Sequence, residues 1–175
     1  MKPASGTARR AWLGLGGNLG DVRGSMIDVL DWLDTRDGIA VTAVSGLYET
    51  PPWGITEQPR FLNACAQLLT SRSPQDLLAT CLDGEQRLKR IRNERWGPRT
   101  IDIDILVVEG VELDTPDLVI PHPRIHERAF VLIPLCDLTP SLPINGKSAA
   151  DWLELCDPGG VKRVADADEW WQRPR

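Results

Sequence analysis

The chain has 175 residues, of which 42% are hydrophobic and 26% are charged, and its formal net charge is −5. This length and composition are typical of one globular domain and exclude collagen, coiled coil and wholesale disorder. No apolar run approaches the ~20 residues needed to cross a bilayer, and the net acidity argues against a general nucleic-acid coat.

The polar N-terminus lacks the apolar core of a signal peptide, so we expect a cytoplasmic protein. The four cysteines have no CxxC or other metal-ligand spacing, so we expect reduced thiols rather than a zinc site or disulfides.

The first part of the chain predicts a strand, a helix and two further strands. The apolar run over 11–16 ends in glycines, which is typical of a buried strand that enters a turn. Apolar residues at helical spacing predict a helix over 22–36, and the β-branched segment 39–48 predicts a strand. Prolines make 49–59 a loop, and 61–70 returns as a strand.

The second part predicts one long helix, one clear strand and two shorter helices. Ser73 followed by Pro74 is typical of a helix start, and the basic segment 89–100 is expected to be a loop after that helix. The remaining predicted elements are a strand over 101–108 and helices over 125–135 and 148–156.

The order of these elements predicts the fold class. Strand-helix-strand-strand-helix-strand indicates an α+β protein with a ferredoxin-like antiparallel sheet (βαββαβ), helices on its faces and extra C-terminal helices. We expect a single domain over 8–160, with 1–7 and 161–175 as loose terminal extensions.

Two aspartates alternate with isoleucines in the predicted strand Ile101-Asp102-Ile103-Asp104-Ile105. Side chains alternate between the faces of a strand, so Asp102 and Asp104 share one face, about 7 Å apart. Two such carboxylates repel unless a cation lies between them, and oxygen ligands suit Mg²⁺. The alternative is an edge strand with a solvated acidic face.

A basic segment precedes this strand. Residues 85–100 contain six basic and two acidic residues, a net charge of +4. Guanidinium groups bind phosphate bidentately, so Arg90, Arg92 and Arg99 beside paired carboxylates indicate a site for a metal–polyphosphate ligand. The alternative is a solvated basic helix end, where positive charge is also favoured by the helix dipole.

Three other features are weak when taken alone. The glycine-rich run over 14–20 matches no phosphate-binding motif and is interpreted as a tight turn. His122 is a lone histidine, which is more often structural than functional. Phe61 and Phe130 are the two phenylalanines of the chain, and an aromatic at a strand start usually belongs to the core.

Taken together, these motifs resemble the 6-hydroxymethyl-7,8-dihydropterin pyrophosphokinase family. The central motif is Arg90-x-Arg92 followed by Arg95-Trp96-Gly97-Pro98-Arg99-Thr100-Ile101-Asp102-Ile103-Asp104-Ile105. Three further segments agree in order, namely Leu15-Gly16-Gly17-Asn18-Leu19-Gly20-Asp21, Tyr48-Glu49-Thr50-Pro51-Pro52-Trp53-Gly54 with Phe61-Leu62-Asn63, and Pro121-His122-Pro123-Arg124 with Arg128-x-Phe130. The resemblance covers about residues 11–140.

The resemblance implies an enzyme of folate biosynthesis. It would move a pyrophosphoryl group from ATP to the hydroxymethyl group of the pterin and release AMP, with attack at the β-phosphorus. Two Mg²⁺ ions would be held by Asp102 and Asp104, one bridging the α- and β-phosphates and the other the β- and γ-phosphates. Its partners would be these small molecules, without nucleic acid or membrane, and the protein is expected to be a monomer.

The same resemblance implies roles for particular residues. Catalytic roles would fall to Arg90, Arg92, Arg99, Asp102 and Asp104. ATP would contact Glu85, Arg90, Arg92, Trp96, Arg99, His122 and Arg128. The pterin would contact Thr50, Pro51, Trp53, Phe61, Asn63 and Phe130, with its ring sandwiched between the two phenylalanines.

The chain departs from the family pattern at four positions. Gly17 stands where serine is usual, Phe61 where tyrosine is common, and Trp53 where a smaller apolar residue is frequent. Pro123, after His122, stands where an aromatic or another residue is often seen. Two other functions stay open at this point. An RNA-recognition sheet would need an aromatic RNP1-like run, which the sequence lacks, and a degenerate homologue would bind pterin without catalysis.

Overall fold

The structure, a computed structural model, describes residues 7–51, 57, 59–93 and 101–171, and the side chains of all of these except 90–93. The strands are β1 (Arg9–Gly17), β2 (Ile39–Val44), β3 (Leu47–Thr50), β4 (Phe61–Thr70), β5 (Asp102–Val108), β6 (Leu113–Asp114), β7 (Val119–Ile120), β8 (Pro143–Ile144), β9 (Lys147–Ser148) and β10 (Lys162–Ala165). The helices are α1 (Val22–Asp34), α2 (Pro74–Asn93), α3 (Ala129–Leu138), α4 (Ala149–Glu154) and α5 (Ala167–Trp170).

The main sheet is antiparallel throughout. Its strand order is β10-β3-β4-β1-β5, and β2 pairs with β4 on the same side as β3. The register brings Gly16 of β1 opposite both Asn63 of β4 and Asp102 of β5. Two residues before Gly16 in β1, Gly14 lies opposite Asp104. The predicted α+β class with an antiparallel sheet is confirmed.

The segment predicted as one strand over 39–48 forms two strands instead. The pairing partner shifts by one residue between Val44, which faces Ala66, and Tyr48, which faces Asn63. This shift is a bulge at residues 45–46, and a one-residue shift turns the following side chains to the other face of the sheet. Tyr48 and Thr50 therefore share the face of Asn63.

Helix α2 begins as predicted but ends later. Pro74 is its first residue, and the Ser73 hydroxyl accepts a hydrogen bond from the Asp76 N–H at 3.1 Å. The helix continues to Asn93, so the prediction that 89–100 is entirely loop is wrong for its first residues. Lysine and arginine are good helix formers, and their charge is favourable near a helix C-terminus.

Helices cover both faces of the sheet, and each face has its own core. Helices α1 and α2 pack on the face that carries Leu13 and Ile103, whereas α3 and α4 pack on the face that carries Trp12 and Leu106. Alternate residues of β1 and β5 therefore enter different cores, as the strand period requires.

Within the C-terminal extension predicted over 161–175, residues 162–165 form a strand and residues 167–170 form a helix. Strand β10 pairs with β3, and α5 buries Trp170, whose indole N–H donates to the Ser45 carbonyl at 2.8 Å. Burial of this large aromatic side chain offsets the conformational entropy that is lost when the short segment becomes ordered.

The predicted helices before this segment are present with altered bounds. A 3-10 turn over Ile125–Glu127 precedes α3, which extends to Leu138. Ser148 caps α4 as predicted, since its hydroxyl accepts from the Asp151 N–H at 3.1 Å.

The structure also bears on membrane-spanning helices and on the state of the cysteines. Within the described ranges, no helix has the length and apolar character that crossing a membrane requires. All four cysteines belong to the described residues and are free. Burial raises the pKa of Cys81 to about 12, so this thiol stays protonated.

Candidate active site

A cleft of about 300 Å³ opens on the face of the sheet that carries α3. Its volume is in the range of small-molecule sites, about 300–1,000 Å³. Its lining brings together residues of β1, β3, β4, β5 and the start of α3, among them Gly14, Gly16, Thr50, Phe61, Asn63, Cys65, Asp102, Asp104, Arg128 and Phe130.

Glycines form the floor of this cleft. The run over 14–20 is not simply a turn, because Gly14, Gly16 and Gly17 belong to β1. A Cβ atom on Gly16 would lie 2.8 Å from Asn63 Oδ1, so a side chain there would displace the asparagine amide. Glycines two positions apart leave one face of a strand bare, and this spacing is the signal in the sequence that could have indicated the floor.

Asp102 and Asp104 lie beside this floor, as their spacing predicts. Both are exposed, whereas Ile103 and Ile105 of the same strand are buried on the opposite face. Among the described residues, none donates a hydrogen bond to either carboxylate or forms an ion pair with it. Two exposed carboxylates on one strand face are a donor set suited to a hard cation such as Mg²⁺.

Glu85 reaches this site from α2. Its Oε1 accepts a hydrogen bond from the Ile103 N–H at 2.7 Å, on the edge of β5 that does not pair with β1. Burial raises the pKa of Glu85, and the charges of Asp102 and Asp104 add to the effect, while the Ile103 N–H opposes it. Glu85 thus holds the backbone between the two aspartates, and its predicted contact with nucleotide stays a prediction.

His122 and Arg128 supply further polar groups near the aspartates: Arg128 lines the cleft with them, and His122 interacts electrostatically with Asp104. The Nδ1 atom of His122 accepts from the Arg124 N–H at 3.2 Å. Burial lowers the pKa of His122, and Arg128 and Arg124 lower it further, whereas Asp104 opposes the shift. The neutral ring therefore carries its proton on Nε2, available to donate. Arg128 precedes α3 and places its guanidinium carbon 5.7 Å from the centre of the Phe130 ring.

Four of the predicted pterin contacts, Thr50, Phe61, Asn63 and Phe130, line the part of the cleft formed by β3, β4 and α3, which we call its aromatic end. Phe61 at the start of β4 and Phe130 in the first turn of α3 both line it. Asn63 Nδ2 donates to Thr50 Oγ1 at 2.9 Å, and both side chains are buried. Pro51 lines an adjoining cavity that also contains Thr50 and Phe130.

The remaining predicted site residues are not described in full. Trp53, Trp96 and Arg99 lie outside the described residues. Arg90 and Arg92 belong to the last turns of α2, but their side chains lie outside the description. Their predicted roles therefore stay predictions.

An α+β domain with paired carboxylates beside an aromatic small-molecule cleft is typical of a metal-dependent phosphoryl-transfer enzyme. A family model described as 7,8-dihydro-6-hydroxymethylpterin-pyrophosphokinase (HPPK) matches residues 12–140. The chain belongs to this family and is an ATP-dependent pyrophosphokinase.

Relatives support the same assignment over nearly the whole chain. A 2-amino-4-hydroxy-6-hydroxymethyldihydropteridine pyrophosphokinase of Methylorubrum extorquens is 46% identical over 155 residues, which are 89% of this chain and 98% of the relative. The Pseudomonas aeruginosa protein of the same name is 39% identical over 160 residues, 91% of this chain and 99% of that one. A folate synthesis bifunctional protein of Arabidopsis thaliana is 39% identical over 156 residues, 89% of this chain but 28% of the relative.

Solved structures agree in fold. The Plasmodium falciparum HPPK-DHPS wild-type crystal structure aligns with a TM-score of 0.65 at 16% identity. The alignment covers 86% of this chain and 41% of that one, so the chain spans less than half of this structural relative.

Proposed function

We infer that this chain transfers pyrophosphate from ATP to the hydroxymethyl group of 6-hydroxymethyl-7,8-dihydropterin, releasing AMP, in folate biosynthesis. The observation that carries this function is one cleft with two chemically different parts. Phe61 on β4 and Asp102 and Asp104 on β5 lie on opposite sides of the glycine-bearing strand β1, and they line the same cleft with Phe130 of α3. Such a cleft can hold a flat heterocycle beside a polyphosphate, which places the reacting groups together.

The bond changes follow from the two substrates. The hydroxymethyl oxygen forms a bond to the β-phosphorus, and the bond from that phosphorus to the oxygen it shares with the α-phosphorus breaks. AMP leaves with that oxygen, and the hydroxyl proton passes to solvent. Negative charge on the transferring group must be stabilised by cationic groups around it.

The two aspartates would hold Mg²⁺, with two ions expected. Their exposed oxygen donors and the absence of a described cationic partner fit such ions. When bound, such ions would neutralise negative charge on the phosphates.

The aromatic end would hold the pterin ring. Stacking between Phe61 and Phe130 is favourable for a flat heterocycle, and neither ring needs a hydroxyl for it. Because Thr50 Oγ1 already accepts from Asn63 Nδ2, its own O–H is free to donate, and Asn63 Oδ1 is oriented to accept. With the backbone of Pro51 and Trp53, these groups would recognise the amide and amine edge of the pterin.

The cationic residues would bind the triphosphate. Arg128 lines the cleft, neutral His122 interacts electrostatically with Asp104, and Glu85 contributes from α2. Arg90, Arg92 and Arg99, with Trp96 at the base of their loop, would close over the phosphates and exclude water.

The proposal also covers the arrangement of the sheet, the domain bounds, the oligomeric state and the location of the protein. The order β5-β1-β4-β2 supports a ferredoxin-like arrangement of the sheet. We propose that residues 8–160 form one pyrophosphokinase domain. Residues 162–170 add a strand and a helix to it. A monomeric state and a cytoplasmic location stay predictions.

The direct test uses purified protein with ATP, Mg²⁺ and 6-hydroxymethyl-7,8-dihydropterin, and separates the nucleotide products by chromatography. We expect AMP in a one-to-one ratio with the pyrophosphorylated pterin. A 6-methyl analogue, which lacks the accepting hydroxyl, is the matched control and should give no AMP. Release of ADP, or no turnover with the hydroxymethyl substrate, would contradict the proposal.

A further inference from the structure

One carboxylate outside the cleft connects α3 and β3, which both line the cleft, to β10. Asp137 lies near the end of α3 and its side chain is 23% exposed. Its Oδ2 accepts from the Tyr48 hydroxyl at 2.6 Å and from the Gly46 N–H at 3.1 Å. Its Oδ1 accepts from an Arg163 guanidinium nitrogen at 2.9 Å. We call these four residues the Asp137 clamp.

The clamp is centred on the bulge between β2 and β3. Without that bulge, Tyr48 and Thr50 would turn to the face packed against α1 and α2, because a one-residue shift reverses the side chains of a strand. The Gly46 N–H at the bulge needs an acceptor that the regular ladder does not supply. Asp137 provides it and so stabilises the conformation that turns Thr50 toward the cleft.

The clamp also joins the two walls of the aromatic end. Thr50 lies two residues beyond Tyr48 on the same face of β3, about 7 Å away. Phe130 lies seven residues before Asp137 on α3, about 10 Å along the helix axis. A bond between Asp137 and Tyr48 therefore fixes the spacing of the walls that carry Thr50 and Phe130.

The C-terminal segment completes the clamp. Arg163 of β10 lies opposite Tyr48 in the sheet, and its guanidinium carbon lies 5.2 Å from the centre of the Tyr48 ring. Its other terminal nitrogen binds Asp166 at 2.6 Å, which anchors it to the start of α5. Burial and Asp137 raise the pKa of Tyr48, so the phenol keeps the proton that it donates.

We propose that Asp137 is a positioning residue for the pterin end of the cleft, acting through the bulge at Gly46 and through Tyr48, with Arg163 as its C-terminal support. This role rests on the proposed pterin contacts of Thr50 and Phe130. The aspartates lie on β5 and Glu85 lies on α2, whereas Arg128 adjoins Phe130 at the start of α3. The clamp therefore affects pterin affinity more strongly than nucleotide affinity.

The test measures the KM for pterin, the KM for ATP and the Kd of a non-hydrolysable ATP analogue without pterin. We expect Asp137→Ala to raise the pterin KM about tenfold, equivalent to about 1.4 kcal/mol, with the nucleotide constants within twofold. Asp137→Asn keeps one of the two acceptor oxygens and should give a smaller rise than Asp137→Ala. Tyr48→Phe and Arg163→Ala each remove one hydrogen bond to Asp137, and Arg163→Ala also removes the contact with Asp166. Each should raise the pterin KM about two- to threefold.

Controls separate this role from a general effect on folding. Glu109→Gln removes an exposed ion pair with Arg10 away from the cleft and should change neither KM. If Asp137→Ala does not fold, by circular dichroism, the exposed Arg163→Ala carries the test. Equal losses of pterin and nucleotide affinity, or no change in either, would overturn the proposal. Phe130→Ala should weaken pterin binding in any case, and if it does not, the proposed pterin end itself is wrong.

Discussion

Around the glycine floor, the two faces of the central sheet are made from alternate residues of the same strands, yet one face is closed core and the other opens into the cleft. The closed face carries Leu13, Leu15, Ile103 and Ile105, and the open face carries Gly14, Gly16, Asp102 and Asp104. One step along a strand thus separates a residue that stabilises the fold from a residue placed for chemistry. Stability and activity should therefore respond to neighbouring substitutions in opposite ways.

The largest expected effect on activity comes from the open face. Asp102→Asn or Asp104→Asn should lower kcat at least about 100-fold, because metal-held charge stabilisation is worth several kcal/mol. Both side chains are exposed, so the thermal midpoint should change little. Steady-state assays of AMP release and thermal unfolding followed by circular dichroism measure the two quantities.

The matched control is Glu109→Gln, which neutralises a carboxylate just beyond the end of β5. It should keep wild-type turnover. Near-normal kcat in both aspartate variants would reduce the pair to a solvated acidic face.

The closed face should show the reverse pattern. Ile103→Ala removes a buried side chain between the two aspartates and should lower the free energy of unfolding by about 2–5 kcal/mol. Urea denaturation measures this loss. At a temperature where the variant stays folded, kcat should remain within about threefold, a difference of under 1 kcal/mol in the barrier. Loss of turnover without loss of stability would break the division between the faces.

A smaller effect is expected from filling the floor of the cleft. The added methyl of Gly16→Ala would lie 2.8 Å from Asn63 Oδ1 and must push that amide away from Thr50. We expect the pterin KM to rise about tenfold, as for a lost hydrogen bond of about 1.4 kcal/mol. In Gly14→Ala the new atom comes no nearer than 3.4 Å, to the flexible Leu106 side chain, and the rise should be smaller. Equal effects of both changes would contradict this account of Gly16.

The smallest effect concerns pH. The pKa of His122 is lowered from 6.5, mainly by burial, so the unfolded chain binds a proton more readily than the folded protein. Stability is therefore lost as pH falls from 6.5 toward the folded pKa, and it is restored as pH rises through that window. Denaturation at several pH values should show a flatter profile for His122→Gln. An unchanged profile would mean that the folded and unfolded pKa values are alike.

The parts of the fold that depend on local pattern could be predicted. Alternation placed Asp102 and Asp104 on one face, and helix caps at Ser73 and Ser148 gave two helix starts. The family resemblance predicted that Phe61, Asn63 and Phe130 contact the same ligand. All three line one cleft, although Phe130 is far from the other two in sequence.

The parts that depend on distant partners could not be predicted. The bulge at 45–46 exists because Trp170 and Asp137 supply its hydrogen-bond partners from 125 and 91 residues away. The same long-range burial of Trp170 orders a C-terminal segment whose composition indicates a loose extension. The glycine run was interpreted as a turn because glycine is common in turns, although the two-residue spacing of Gly14 and Gly16 also fits the strand that they form.

The most direct test of the open face is a crystal structure with a non-hydrolysable ATP analogue, the pterin and Mn²⁺ in place of Mg²⁺. The account predicts anomalous scattering peaks beside the Asp102 and Asp104 carboxylates, with the pterin ring between Phe61 and Phe130. Metal peaks that avoid both carboxylates, or a nucleotide bound away from β5, would contradict it.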